Sequence, residues 1–277
     1  MKKIFALLLV LAMVLALCAC GESKKDTTTV EGQTQEAPAE ETKTEEPAPA
    51  EEPAPAEEVV VEATGEEAPA VMSYAEYAAA ELDSPVAVEV YVQDHQSWWD
   101  NKITVYAQDP DGGYFIYNMA CSEEDAAKLV PGQKIRVSGF KSEWAGEVEI
   151  VDASFELLEA DPWIAEARDI TEDWGTVNMV NYQNQLVAFK GAVVEAYDEN
   201  GAAFAYKDPD GKTDDLYYKV TIGDTTYDFC VEFYLRGGDT EVYKAVENLQ
   251  VGDTVDLEGY LYWYEGPNLH TTAVTVK

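Results

Sequence analysis

The chain has 277 residues and a formal charge of −36, from 54 acidic against 18 basic side chains. That balance argues against a polyanionic partner, because holding a phosphate backbone relies on Lys and Arg displacing counterions. Two of the four cysteines lie within the first twenty residues, so the remaining two make no disulfide framework, and there are only two histidines.

Residues 1–20 start with Lys2-Lys3 and continue as the apolar run "IFALLLVLAMVLALCAC". A basic start, a short apolar stretch and small residues at its end read as a secretory signal. The end, "LCAC", has Leu17 three residues and Ala19 one residue before Cys20, with Gly21 after it. This resembles the lipobox of bacterial lipoproteins. The resemblance implies cleavage before Cys20, a diacylglycerol (palmitate-type) thioether on its sulfur, and a membrane anchor on the extracytoplasmic face. Residues 21–70 are rich in Glu, Pro, Ala and Thr, with "PAPAEE" twice in tandem at 47–52 and 53–58. With no aromatic ring and little to bury, the segment cannot offset its ordering entropy. It is expected to be a disordered stalk, extended by its prolines and by charge repulsion.

Residues 71–277 hold 13 basic and 39 acidic residues, a formal charge of −26. The region opens with "SYAEYAAAEL", where Ser73 and Glu76 form a capping-box pattern, so a short helix is expected against the domain that follows. Alternation at 86–93, 103–108 and 114–119 predicts three strands. The last two are joined by "DPDGG", whose Pro, Asp and Gly suit a tight turn. "SEEDAAKL" predicts a short helix capped by Ser122. Strands at 134–140 and 147–157 follow. The order is β-β-β-α-β-β.

The same order recurs after a connector at 161–184, which Trp163 and Trp174 mark as packed. Strands are expected at 185–197, 202–207, 215–222, 225–234, 253–264 and 269–276, with a helix before 249 capped by Asp239 or Thr240. "KLVPGQKIRVSGFKSEWAG" (128–146) aligns with "NLQVGDTVDLEGYLYWYEG" (248–266) at a spacing of 120 residues, whereas the two "DPDG" turns, at 109 and 208, are only 99 apart. The second copy therefore carries about 20 extra residues, assigned to an added hairpin turning at Gly223-Asp224.

Five strands with a helix between the third and fourth is the OB-fold pattern, a small Greek-key barrel. The fold expected is all-β: two OB-like barrels, domain 1 over 71–160 and domain 2 over 185–277, the second with the extra hairpin. Leu129 and Leu249 would plug the barrel ends, and Gly139 and Gly259 would allow a bulge in each fourth strand. "VPGQKIRVSGF…EWAGEVEI" resembles the fourth-to-fifth-strand signature of bacterial OB-fold domains of the nucleic-acid-binding-like superfamily. Tandem copies behind a lipobox and an acidic stalk look like surface lipoproteins of Gram-positive bacteria.

No catalytic or phosphate-binding motif is present, so no enzyme, cofactor or metal is expected. His95 and His270 lie in no metal spacing. The "DPDG" turns lack the ligand array of a calcium loop. Cys121 and Cys230 are either two buried thiols or a bridge between the halves. OB-folds take ligands on the face of strands two and three and with nearby loops. Rings at those places are Trp98, Trp99, Tyr114, Tyr117 and Trp144 in the first copy, and Tyr197, Phe204, Tyr206, Trp263 and Tyr264 in the second. The function expected is a non-enzymatic cell-surface module gripping an oligosaccharide, peptide or protein with Trp98, Trp99, Tyr114, Tyr117, Trp144, Tyr206, Trp263 and Tyr264. The alternatives are a structural lipoprotein whose tryptophans pack the barrels, and a nucleic-acid-binding protein, which the charge disfavours.

Overall fold

The computed structural model describes residues 69–208 and 213–277. The expected signal, the Cys20 anchor and the stalk lie outside them, as does most of the second "DPDG".

The first half contains α1 (Tyr74–Ala79), β1 (Pro85–His95), β2 (Lys102–Gln108), β3 (Gly113–Ala120), α2 (Glu123–Ala126), β4 (Lys134–Trp144) and β5 (Glu147–Leu157). The strands close into a barrel in the order β1-β2-β3-β5-β4, with β4 back against β1. The second half contains β6 (Arg168–Asp169), two 3-10 turns (Thr171–Asp173 and Val177–Tyr182), β7 (Leu186–Glu195), β8 (Phe204–Tyr206), β9 (Leu216–Ile222), β10 (Thr225–Val231), α3 (Glu241–Glu247), β11 (Thr254–Trp263) and β12 (Pro267–Val276). Here β7-β9-β10-β12-β11 repeats the same order, closed by β7 against β9. In both barrels the third and fifth strands pair in parallel. These are two OB-like barrels.

The repeated strand carries the same irregularity in each copy. The register shifts between Ser138 and Phe140 on β4, and between Glu258 and Gly259 on β11. A side chain at Gly139 would meet the Val151 carbonyl at 2.7 Å, and one at Gly259 the His270 carbonyl at 2.4 Å. Glycine is what lets the neighbouring strand cross there. Leu129 and Leu249, just beyond α2 and α3, are buried in the respective barrel cores.

The extra residues of the second copy are not where the turn spacing placed them. Gly223-Asp224 is the ordinary turn between β9 and β10, the counterpart of the Asp109–Gly112 turn. The insertion comes earlier, between β7 and β9, and forms β8, which pairs with β9 at the edge of the sheet. Residues 202–207 are thus the added strand and not the second barrel strand. "DPDG" misled because turn chemistry is local and serves any hairpin.

α1 has the expected capping box: Glu76 N–H donates to Ser73 Oγ at 3.4 Å and Ser73 N–H to Glu76 Oε2 at 2.8 Å. Its other end is capped from a distance. Buried Lys141 donates Nζ to the carbonyls of Tyr77, Ala78 and Ala80 at 3.0, 2.8 and 2.8 Å. A cation there satisfies orphan carbonyls and the negative helix end together.

The connector builds part of the second barrel's wall. β6 runs parallel to β7, and Trp174 and Met179 are buried in the second core. Trp174 donates Nε1 to the Thr225 carbonyl at 2.9 Å. Trp163 is half-buried against Tyr91, with ring centres 5.5 Å apart. Cys121 and Cys230 are free, buried thiols.

Candidate ligand-binding groove

Strand alternation gives each barrel an inner and an outer face. On β2 and β3, Val105, Ala107, Tyr114 and Ile116 point into the first core. Tyr106 and Phe115 point out, yet are only 1 % and 3 % exposed. They are buried because the second barrel covers them: Tyr106, Phe115, Leu235 and Tyr260 form a separate cluster. The Tyr106 and Tyr260 rings lie 4.7 Å apart, and those of Phe115 and Tyr262 5.2 Å. Burying a ring such as Phe115 contributes about 1.5–3 kcal/mol. The face where an OB-fold ordinarily takes its ligand is therefore, in the first barrel, largely the seam.

Polar contacts register the seam. Gln108 Oε1 accepts from Leu186 N–H at 2.7 Å, and Ser97 N–H donates to the Tyr234 carbonyl at 2.8 Å. Arg236 pairs with Asp94. Glu147 of β5 is fully buried where three parts of the chain meet. Its Oε2 accepts from Trp263 N–H at 2.8 Å and from Gln183 Nε2 at 3.1 Å. Burial pushes its carboxyl up to about 8.

Beside the seam the barrels part to leave a groove of about 820 Å³. The first barrel contributes Phe115, Tyr117 and Trp144; the second contributes β10, β12 and the end of β11. On β10 the alternation is complete: Tyr227, Phe229 and Val231 face the core, while Asp228, Cys230 and the following Glu232 face the groove. Trp144 and Tyr264, both about half exposed, approach across the groove mouth with ring centres 5.2 Å apart. Tyr117 stacks on Phe115 at 6.3 Å. A second cavity of about 350 Å³, walled by Trp98 and Trp99, shares Gln96, Asn118 and Tyr234 with the groove. The two cavities therefore adjoin.

Three carboxylates, Asp215, Asp228 and Glu232, stand in the lining among amides and tyrosine hydroxyls. Asp215 accepts from Phe233 N–H at 2.9 Å and Tyr217 Oη at 3.1 Å, and pairs with Lys207 at 3.3 Å. Glu232 accepts from Leu235 N–H at 2.6 Å and Tyr234 N–H at 3.3 Å. Burial, then the Asp215 charge, pushes Glu232 up to about 7. Cys230 and His270 are register partners, but burial raises the thiol well above its ordinary value and lowers the imidazole to about 3. Both shifts run opposite to those of a thiolate–imidazolium pair. Among the described residues no three His, Cys, Asp or Glu are grouped to hold a metal.

Of the eight rings expected from sequence, Tyr117, Trp144 and Tyr264 line the groove, and Trp98 and Trp99 the adjoining cavity. Trp98 is half-buried, its Nε1 donating to the Cys121 carbonyl at 2.9 Å, while Trp99 is 79 % exposed. Three need correction. Tyr114 is an inward ring of the first core, its hydroxyl donating to Asp109 Oδ2 at 2.8 Å. Tyr206 clasps α3, donating to Glu247 Oε1 at 2.6 Å and stacking on Tyr243 at 6.4 Å. Trp263 packs over Gly146 at the seam. Tyr217, Tyr234 and Tyr262 also line the groove and were not anticipated. The alternating "YDFCVEF" of β10 was the available sign that its polar face had a use.

No family model and no curated protein sequence matches the chain. Similar solved structures include the tetrameric p202 HIN2 (13 % identity, 71 % of this chain and 96 % of that one, TM-score 0.30). A murine DNA binding protein bound with double-stranded DNA is similar at 11 % identity, 69 % and 96 % coverage and TM-score 0.34. A replication protein A heterotrimer bound to single-stranded DNA has 8 % identity, 75 % and 69 % coverage and TM-score 0.26. The strand order described above stands without these likenesses.

Proposed function

We propose that the protein is a non-enzymatic binding module of the cell surface, held to the membrane by a lipid on Cys20 and gripping its ligand in the groove between the barrels. The observation that carries this reading is the ring set Tyr117, Trp144 and Tyr264, left open to solvent around a concave groove with carboxylates in its lining. Aromatic walls with a few convergent polar groups are the usual make-up of a recognition site. An oligosaccharide, a peptide or a protein segment fits that chemistry. Nucleic acid does not, since single-strand grooves are basic and Asp215, Asp228 and Glu232 line this one. The lipobox-like "LCAC" supports the anchor, each buried CH₂ of which would add about 0.8 kcal/mol. Titration of the full-length chain with glycans, wall fragments and peptides, followed by tryptophan fluorescence, tests the binding reading. A saturable change lost in Trp144→Ala supports it, and silence across the panel removes it. Cys20→Ala should release the protein into the medium; retention at the membrane would reject the anchor.

A further inference from the structure

Resting on that reading, we infer that the groove takes an extended basic segment of a partner protein, with amines four residues apart meeting Asp228 and Glu232 between the aromatic walls. Three observations lead there.

The first is charge. Among the described lining residues, Asp215, Asp228 and Glu232 face one cation, Lys207, which is engaged by Asp214 and Asp215 at 3.2 and 3.3 Å; Lys219, the register partner of Asp228, offsets part of that charge from the neighbouring strand. Glu232 takes two backbone N–H groups and, among the described residues, no salt bridge, with Lys207 acting on it only through its charge.

The second is pitch. Asp228 and Cys230 alternate on the groove face of β10, and Glu232, the first residue past the strand, lines the same groove. At about 3.3 Å per residue, Asp228 and Glu232 lie about 13 Å apart. An extended peptide has the same period, so its side chains at i and i+4 meet both carboxylates together. A lysine stem is long enough to reach a recessed acid while its methylenes lie on rings.

The third is the walls. Tyr217, Tyr262, Trp144 and Tyr264 line the same groove as the carboxylates, and a cation between an acid and ring faces gains from both. The fold already uses the pairing beside the groove, where Lys219 Nζ lies 4.7 Å over the Tyr197 ring. The continuation toward Trp98 and Trp99 gives an extended segment room beyond the two amines.

The test uses the full-length chain and the blocked pentapeptide Lys-Ala-Tyr-Ala-Lys, beside the same peptide with Gln or with Glu in place of Lys, and a neutral glucan hexasaccharide. The lysine peptide should bind, the glutamine peptide about tenfold more weakly or worse, and the glutamate peptide not at all. Asp228→Asn should weaken the lysine peptide about fivefold, and 0.5 M salt should weaken it as well. Tyr264→Ala, which leaves every carboxylate in place, should weaken the lysine and glutamine peptides alike. Equal binding of the lysine and glutamine peptides overturns the inference. Binding of the glucan alone, lost in Trp144→Ala, also overturns it while leaving the groove reading intact. If neither peptide nor glucan binds, both fall.

Discussion

The phenol of Tyr106 in the first barrel meets Nδ1 of His270 in the second at 2.6 Å. Both groups are buried, and burial holds the imidazole neutral and the phenol protonated. The phenol therefore donates, Nδ1 accepts, and the imidazole proton sits on Nε2. Tyr106→Phe keeps the ring and strands the acceptor, at a cost of about 1–3 kcal/mol, read as a lower denaturant midpoint with unchanged slope.

The same histidine gives a pH dependence. Its pKa falls from 6.5 to about 3 on folding. The unfolded chain takes a proton below 6.5 and the folded chain does not, so this stability is present above 6.5 and lost as pH falls toward 3. Tyr262 stacks on His270 at 4.3 Å, so His270→Phe keeps an aromatic partner. Urea melts between pH 7 and pH 4 should show a shallower loss for that variant than for the wild type.

Glu147 works in the opposite sense. Its pKa rises from 4.5 to about 8 on folding. Its contribution is fully present below 4.5 and is lost as pH rises through 8, because the unfolded carboxyl ionises first. Glu147→Gln keeps an acceptor for Trp263 N–H while removing the ionisation. The variant should match the wild type near pH 4.5 and exceed it in stability near pH 8.5. An unchanged difference between the two across that range would reject the assignment.

The two bulge glycines should behave alike. Gly139→Ala and Gly259→Ala each force a methyl to within 2.4–2.7 Å of a carbonyl on the neighbouring strand. Each should cost about 2–3 kcal/mol. Gly201, with nothing near its added methyl but a φ of +82°, should lose less as Ala. Thermal melts of the three variants decide this.

Lys141→Met should leave the first barrel folded while freeing α1. It removes three charge-assisted bonds to the Tyr77, Ala78 and Ala80 carbonyls. Amide exchange over residues 74–80 should speed up selectively, while β1 and β4 stay protected.

Most of the fold was legible because its signals are local and periodic. Alternation located ten of the barrel strands, Ser73 and Glu76 announced α1, and the recurring Gly139 and Gly259 revealed the duplication. The insertion was misplaced because "DPDG" at 109 and at 208 is turn chemistry without positional memory. The groove was only half legible. Trp144 and Tyr264 stand out as rings in polar turns. Tyr106 and Phe115 read as ordinary strand residues, and only docking shows that they seal the expected ligand face. Tyr114 and Tyr106 lie on adjacent strands with opposite orientations, which decides core against seam and cannot be read without the register.

A ligand gripped between the barrels needs both of them. The most direct measurement is calorimetric titration of whichever panel ligand binds, against the full-length chain, the Trp144→Ala, Tyr264→Ala double variant, and residues 71–160 alone. The double variant should lose at least tenfold, and the isolated first half should show no measurable binding. Wild-type affinity in either would contradict a site between the barrels.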